Sequence, residues 1–233
     1  MTPAGRTDPG QGRPEACATM TRMRVDHVSY ATERDGLKAT AQRLAKKLGV
    51  KPVDGGVHPR FGTRNIILPL AHARYVEVVA VLDHPASDKA PFGQAVRARS
   101  EDGGGWLGWV VSVDDISEAE KRLGRESVVG SRRRPDGVEL KWRQLGVKGL
   151  MADPQLPYYV KWEDQSLHPS VGANTDVTIC GLEIAGDPDR VCEWLGLPAD
   201  QTSTVIDFTF VAPHGTPGLL AVTFITPSGP VTI

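Results

Sequence analysis

The feature that most constrains this chain is an internal repeat. A strand-like run from Val25 to Ala31 is followed by a helical segment with Leu37, Ala41, Leu44 and Leu48 at helical spacing, and then by Gly49, where a helix would stop. Extended pieces around Val57, Asn65 to Leu70 and Tyr75 to Leu82 follow, separated by turn signals at Asp54-Gly55-Gly56 and Pro69. The same order returns after Gly103-Gly104-Gly105. Trp106 to Val113 reads as a strand, and Ile116, Ala119 and Leu123 lie on a helix ended by Gly124. Glu139 to Leu145, Val147 to Ala152 and Tyr158 to Trp162 read as strands, with a turn at Arg134-Pro135-Asp136-Gly137. A third, partial copy has a strand over Val177 to Ala185, a helix capped by Asp187 and ended by Leu195-Gly196, and strands near Val205 to Val211 and Leu219 to Ile225.

The expected fold class is therefore α+β: tandem βαβββ modules forming a curved mixed-sheet cup, plus a partial third βαβ-type module. Boundaries fall at 1–23 for a disordered tail, 24–100 and 101–170 for the two complete modules, and 171–233 for a C-terminal βαββ module. The third copy is expected to extend or cover the sheet and to offer a surface for a homodimer. Composition narrows the partners. With 27 basic against 28 acidic side chains there is no overall field to draw in nucleic acid, and no apolar run reaches the roughly 18 residues needed to span a bilayer. Three cysteines without a C-x-x-C spacing point to reduced thiols and a cytoplasmic setting. A small molecule is the expected partner.

Aligning the copies picks out particular side chains. Tyr75-Val76-Glu77 and Tyr159-Val160-Lys161 each end seven residues before a His-Pro pair, at His84-Pro85 and His168-Pro169, which makes Glu77 and Lys161 equivalent. Counting back from the helix-ending glycines pairs His27 with Trp109. Glu77 is a lone carboxylate in an otherwise apolar strand, and burial without a partner would cost several kcal/mol. A metal shared with His27, a pairing with Lys161 across the cup, or a retained proton would each compensate.

Val25-Asp26-His27-Val28, the stretch His58-Pro59-Arg60-Phe61-Gly62-Thr63-Arg64-Asn65, and Tyr75-Val76-Glu77 together resemble the glyoxalase-like domain branch of the vicinal oxygen chelate superfamily. That superfamily includes glyoxalase I, extradiol dioxygenases and bleomycin-resistance proteins. The resemblance covers roughly residues 24 to 170, with the third copy similar to the extra C-terminal part of that branch. It implies a cup in which first and last strands supply ligands to a divalent metal. This sequence offers His27 and Glu77 in copy one but Trp109 and Lys161 in copy two, so a metal would have only His27 and Glu77, and no cofactor is assigned.

The expected function is binding of a small carbonyl- or carboxylate-bearing molecule in the cup, with proton transfer at His27, Glu77 and Lys161. His58, Arg60, Asn65, Trp109 and Trp142 are the expected ligand-binding residues. The alternatives are a metal-dependent lyase, isomerase or dioxygenase using His27 and Glu77, and a non-catalytic sequestering protein. Arg132, Arg133 and Arg134 form the one basic cluster, read as a solvated turn or an anion catch.

Overall fold

A computed structural model describes residues 23–198, 206–212 and 214–233. The tail expected over 1–23 lies outside these apart from Met23, and so does Val205. The first repeat comprises β1 (Met23–Ala31), α1 (Leu37–Leu48), β2 (Val53–His58), β3 (Thr63–Leu70) and β4 (Arg74–Val81), followed by two helices, α2 (Pro85–Lys89) and α3 (Pro91–Glu101). The second comprises β5 (Gly105–Val113), α4 (Ser117–Leu123), β6 (Val128–Arg133), β7 (Glu139–Leu145), a single turn α5 (Gly149–Ala152) and β8 (Tyr158–Trp162). The third comprises β9 (Thr178–Ala185), α6 (Pro188–Leu195), β10 (Asp207–Val211), β11 (Gly218–Thr226) and β12 (Gly229–Thr232).

The repeated Leu-Gly signature has one physical cause. Gly49, Gly124 and Gly196 each end their helix in the left-handed region, at φ 68°, 59° and 70°, where a side chain would be strained and the glycine N–H can return to a helix carbonyl. One expected strand is corrected. Val147 to Ala152 is not extended but leads into the turn α5 (Gly149–Ala152), because Gly146 at φ 97° breaks the chain and Gly149 N–H closes back onto Gly146 O. The missing strand is β6, whose Val-Val-Gly-Ser-Arg-Arg sequence shows no apolar alternation.

The eight strands of the first two repeats close on themselves in the order β1-β4-β3-β2-β6-β7-β8-β5. The two seams differ in strength. β1 and β5 pair along most of their length, from Met23 opposite Val113 to Ala31 opposite Gly105, whereas β2 and β6 meet only at Val57 opposite Arg133. In both complete repeats the first strand lies parallel to the last, β1 to β4 and β5 to β8. The third repeat pairs differently: β9 lies parallel to β10, the strand just after its helix, giving a separate sheet of order β10-β9-β11-β12. That sheet covers the outer face of β5, with the Trp106 indole N–H donating to Ile233 O at 2.7 Å and Trp109 tilted against Phe208. Among the described residues no helix is long and apolar enough to cross a membrane.

Strand alternation divides the apolar side chains into two cores. Val28, Val76, Val78, Trp109, Val111 and Tyr159 face outward to the helices and the second sheet. Tyr75, Val79, Val110, Trp142, Tyr158, Val160 and Trp162 face the barrel interior, where Phe92 of α3 joins them. Gly130 lies directly opposite Trp142, and a Cβ there would stand 2.4 Å from the indole. Gly130→Ala is expected to destabilise the fold by about 1–3 kcal/mol through overpacking, read as a lower urea midpoint with altered tryptophan fluorescence. An unchanged midpoint would show that the indole can move at no cost.

Candidate functional site

The site starts at an irregularity in β1. The register against β5 slips between Val25 and His27, a β-bulge at Asp26. Two consecutive residues that alternation would send to opposite faces are therefore both sealed, Asp26 at 0% and His27 at 3% exposure, and they touch each other. His27 Nδ1 lies 2.8 Å from Asp26 Oδ1, and its ring stacks on Tyr75 with centroids 4.3 Å apart. Its other nitrogen, Nε2, faces the Tyr158 hydroxyl at 3.3 Å.

Asp26 is enclosed by donors. Its Oδ2 accepts from the Trp162 indole N–H at 3.2 Å, lies 3.2 Å from Arg24 Nη2 and 3.3 Å from His168 Nε2. The Ser170 backbone N–H donates to His168 Nδ1, which assigns the His168 proton to Nε2 and directs it at Asp26. Burial alone would raise the Asp26 carboxyl. The hydrogen bonds and charges of His168 and His27 outweigh that and hold it well below the usual carboxylate range. With Asp26 ionised, the His27 proton belongs on Nδ1, leaving Nε2 as an acceptor toward the cavity.

Glu77 forms the second node. Ser29 Oγ donates to Oε2 at 2.9 Å, Asn65 Nδ2 donates to Oε1 at 2.6 Å, and His58 Nε2 lies 3.8 Å from the same oxygen. Burial pushes this carboxyl up, but the charges of His58 and His27 and the two hydrogen bonds bring it below its ordinary value. His58, fixed by Thr63 Oγ1 at 2.9 Å from Nδ1, is driven down to about 4 by burial, with Glu77 opposing and Arg132 and His27 adding to the shift. Between these groups lies a cavity of about 20 Å³, room for about one water, walled by Phe61, Phe92 and Trp142. Arg132 reaches it from the weak β2–β6 seam and donates to Asn65 Oδ1 at 3.5 Å.

Of the expected site residues, His27, Glu77, His58, Asn65 and Trp142 meet around this cavity. Arg60 does not: it is exposed and donates to Val129 O. The structure also corrects the equivalence drawn between the repeats. His27 sits opposite Tyr75 on β4 and opposite Val110 across the β1–β5 seam, and Val110 sits opposite Tyr158, so two positions beyond each tyrosine the counterpart of Glu77 is Val160, not Lys161. A one-residue slip moves a side chain to the other face of a strand. Val160 and Trp162 line the cavity, while Lys161 is half-buried on the outer face, where its charge acts on Asp115. Trp109, the supposed counterpart of His27, is likewise outside, its indole N–H held by Gln155 O at 2.9 Å. The shared spacing to His-Pro misleads because β4 runs on to Val81 before α2, whereas β8 ends at Trp162 and a 3-10 turn, Gln165–Leu167, fills the gap.

Tyr158 and Ser29 join the site without a motif to announce them, while Arg132 and His168 show in the sequence only as part of a basic cluster and a His-Pro pair. The alternation of β8 counted from Trp162 would have found Tyr158. His168 and Arg132 depend on long-range closure. The divalent metal that the resemblance implies does not fit this donor set. Both Glu77 oxygens are taken by Ser29 and Asn65, the second repeat contributes Val110 and Val160 at the facing positions, and the guanidinium of Arg132 stands beside them. Among the described residues, no three of His, Cys, Asp or Glu converge as a metal would need.

The His58 shift fixes a pH dependence. Its folded value of about 4 lies below the unfolded value near 6.5, so in that window the unfolded chain binds a proton the native chain refuses. Its contribution is complete above pH 6.5 and is lost as pH falls toward 4, by about 3 kcal/mol at most. Urea unfolding across this range should show the loss in the wild type and a flatter curve in His58→Gln. Identical curves would contradict a neutral buried imidazole.

A glyoxalase-like domain family model matches residues 25–197. A hypothetical protein from Staphylococcus aureus has a similar fold at 14% identity, with a TM-score of 0.68 over 87% of this chain and 91% of that one. Methylmalonyl-CoA epimerase from Mycobacterium tuberculosis aligns over 59% of this chain and 85% of that one, at 16% identity and a TM-score of 0.39. No curated protein matches the sequence. Because the family match spans both complete repeats and continues through α6, the chain belongs to the glyoxalase-like domain family.

Proposed function

We propose that this protein binds a small molecule bearing a carbonyl or carboxylate at the barrel cavity and moves a proton on it without a divalent metal. The observation that carries this reading is the Asp26–His27 pair. One nitrogen is held by a buried carboxylate at 2.8 Å, and the other is presented to the cavity beside a tyrosine hydroxyl. Only the reacting end of a ligand enters a space of about 20 Å³.

His27 Nε2 takes a proton from the carbon next to a carbonyl. Asp26 stabilises the imidazolium that forms, as a buried carboxylate behind a catalytic histidine does elsewhere. Burial pushes the Tyr158 hydroxyl well above its usual range, with Glu77 adding to the shift, so it keeps its proton and donates to the developing enolate oxygen. Return of the proton from His27 completes the cycle. Glu77, with both oxygens engaged, positions Asn65 and Ser29 instead of acting as the base.

The test is exchange of the methyl protons of pyruvate in deuterated water, followed by proton NMR. Wild-type protein should accelerate exchange, His27→Asn should lose roughly 10²–10⁴ of that acceleration, and Asp26→Asn should lose a comparable part because the ring is released from its tautomer. Lys161→Ala, altered on the outer face, should exchange like the wild type. Equal rates in wild type and His27→Asn would sink the assignment.

A further inference from the structure

The barrel cavity is not the largest space in the molecule. Where β2 and β6 barely pair, a cleft of about 740 Å³ opens between the chain after α1, the β6–β7 turn and the segment following the 3-10 turn. Arg132 belongs to the walls of both spaces. Clefts of this size class hold drug-sized ligands.

Arg132 is only 4% exposed, yet its charge is poorly answered. A guanidinium carries five N–H donors. Among the described residues the side chain makes one hydrogen bond, the 3.5 Å contact with Asn65, and its buried Nε has no partner. The buried carboxylate on its cavity side, Glu77, already accepts from Ser29 and Asn65. Of the other charges on the cleft walls, Arg134 pairs with Asp136 at 2.7 Å and Asp54 with Arg64 at 3.2 Å, while the exposed Lys51 makes no ion pair among the described residues. The backbone is also stripped beside the guanidinium. A Cβ on Gly55 would stand 3.0 Å from Arg132 Nη1 and 2.0 Å from Asn65 Oδ1, at a bulge in β2.

We infer that this cleft binds an amphipathic carboxylate whose anionic group docks on Arg132. A planar fork suits a carboxylate held through two oxygens. Val50, Val53, Ile67, Leu167 and Val171 offer apolar surface to a hydrocarbon body. The inference rests on the proposed function for the ligand's reacting end, while the anion contact stands on its own geometry.

The experiment is calorimetric titration of the full chain at low ionic strength with 4-phenylbutyrate, its neutral amide and phenyl phosphate. The acid should bind at least about tenfold tighter than the amide. Arg132→Met should lose that preference, and Arg132→Lys, which keeps the charge but not the fork, should weaken acid binding by about tenfold. Arg133→Gln, exposed on the same strand, should bind like the wild type. If Arg132→Met fails to fold, Arg132→Lys and Gly55→Ala carry the test. Equal binding of acid and amide, no binding of either, or wild-type affinity in Arg132→Lys and Gly55→Ala would overturn the site. Tighter binding of phenyl phosphate would overturn the carboxylate assignment. Acid binding without pyruvate exchange would refute proton transfer alone, and exchange without Arg132-dependent binding would refute the cleft alone.

Discussion

Two carboxylates sealed inside a closed barrel govern how this site is built. Neither Asp26 nor Glu77 is open to bulk solvent, so each must be met by donors or surrender its charge. Asp26 is met by the donors of His27, His168, Trp162 and Arg24, and Glu77 by Ser29 and Asn65, with His58 close by. These partners come from both complete repeats and from the segment after β8, so satisfying the carboxylates ties the barrel wall together. The same requirement orders the imidazoles, because a ring that must donate to Asp26 has its remaining nitrogen decided for it.

Closure at unequal seams gives the site its layout. The long β1–β5 pairing holds the bulge that brings Asp26 and His27 together. The single Val57–Arg133 pairing on the other side leaves the barrel loosely joined where Gly55 and Arg132 lie. A tight interior with an acceptor imidazole and a roomy exterior with an under-used guanidinium thus share one wall. In this account the first does the chemistry and the second holds the rest of the ligand.

Much of this was legible in the sequence, and the reasons for the remainder are specific. The helix-ending glycines and strand alternation are local consequences of backbone stereochemistry, so the repeat and the positions of His27 and Glu77 could be read directly, while His58 and Asn65 came from the family resemblance. The pairing of Glu77 with Lys161 failed because it aligned loop lengths, and loops change length without moving a strand; one residue of error reverses a side chain's face. Arg132 reads as part of an exposed basic turn, yet strand β6 turns it inward while Arg133 points out. The bulge at Asp26 has no local signature, since only the partner strand reveals the extra residue.

Asp26 fixes the tautomer of His27 and leaves Nε2 as the acceptor facing the cavity. Long-range ¹⁵N–¹H correlation of the histidine rings, at a pH where they are neutral, tests it most directly. The account predicts His27 protonated on Nδ1 and His168 protonated on Nε2, with the His27 pattern lost in Asp26→Asn. A His27 ring protonated on Nε2 in the wild type, or an unchanged pattern in that variant, would contradict it.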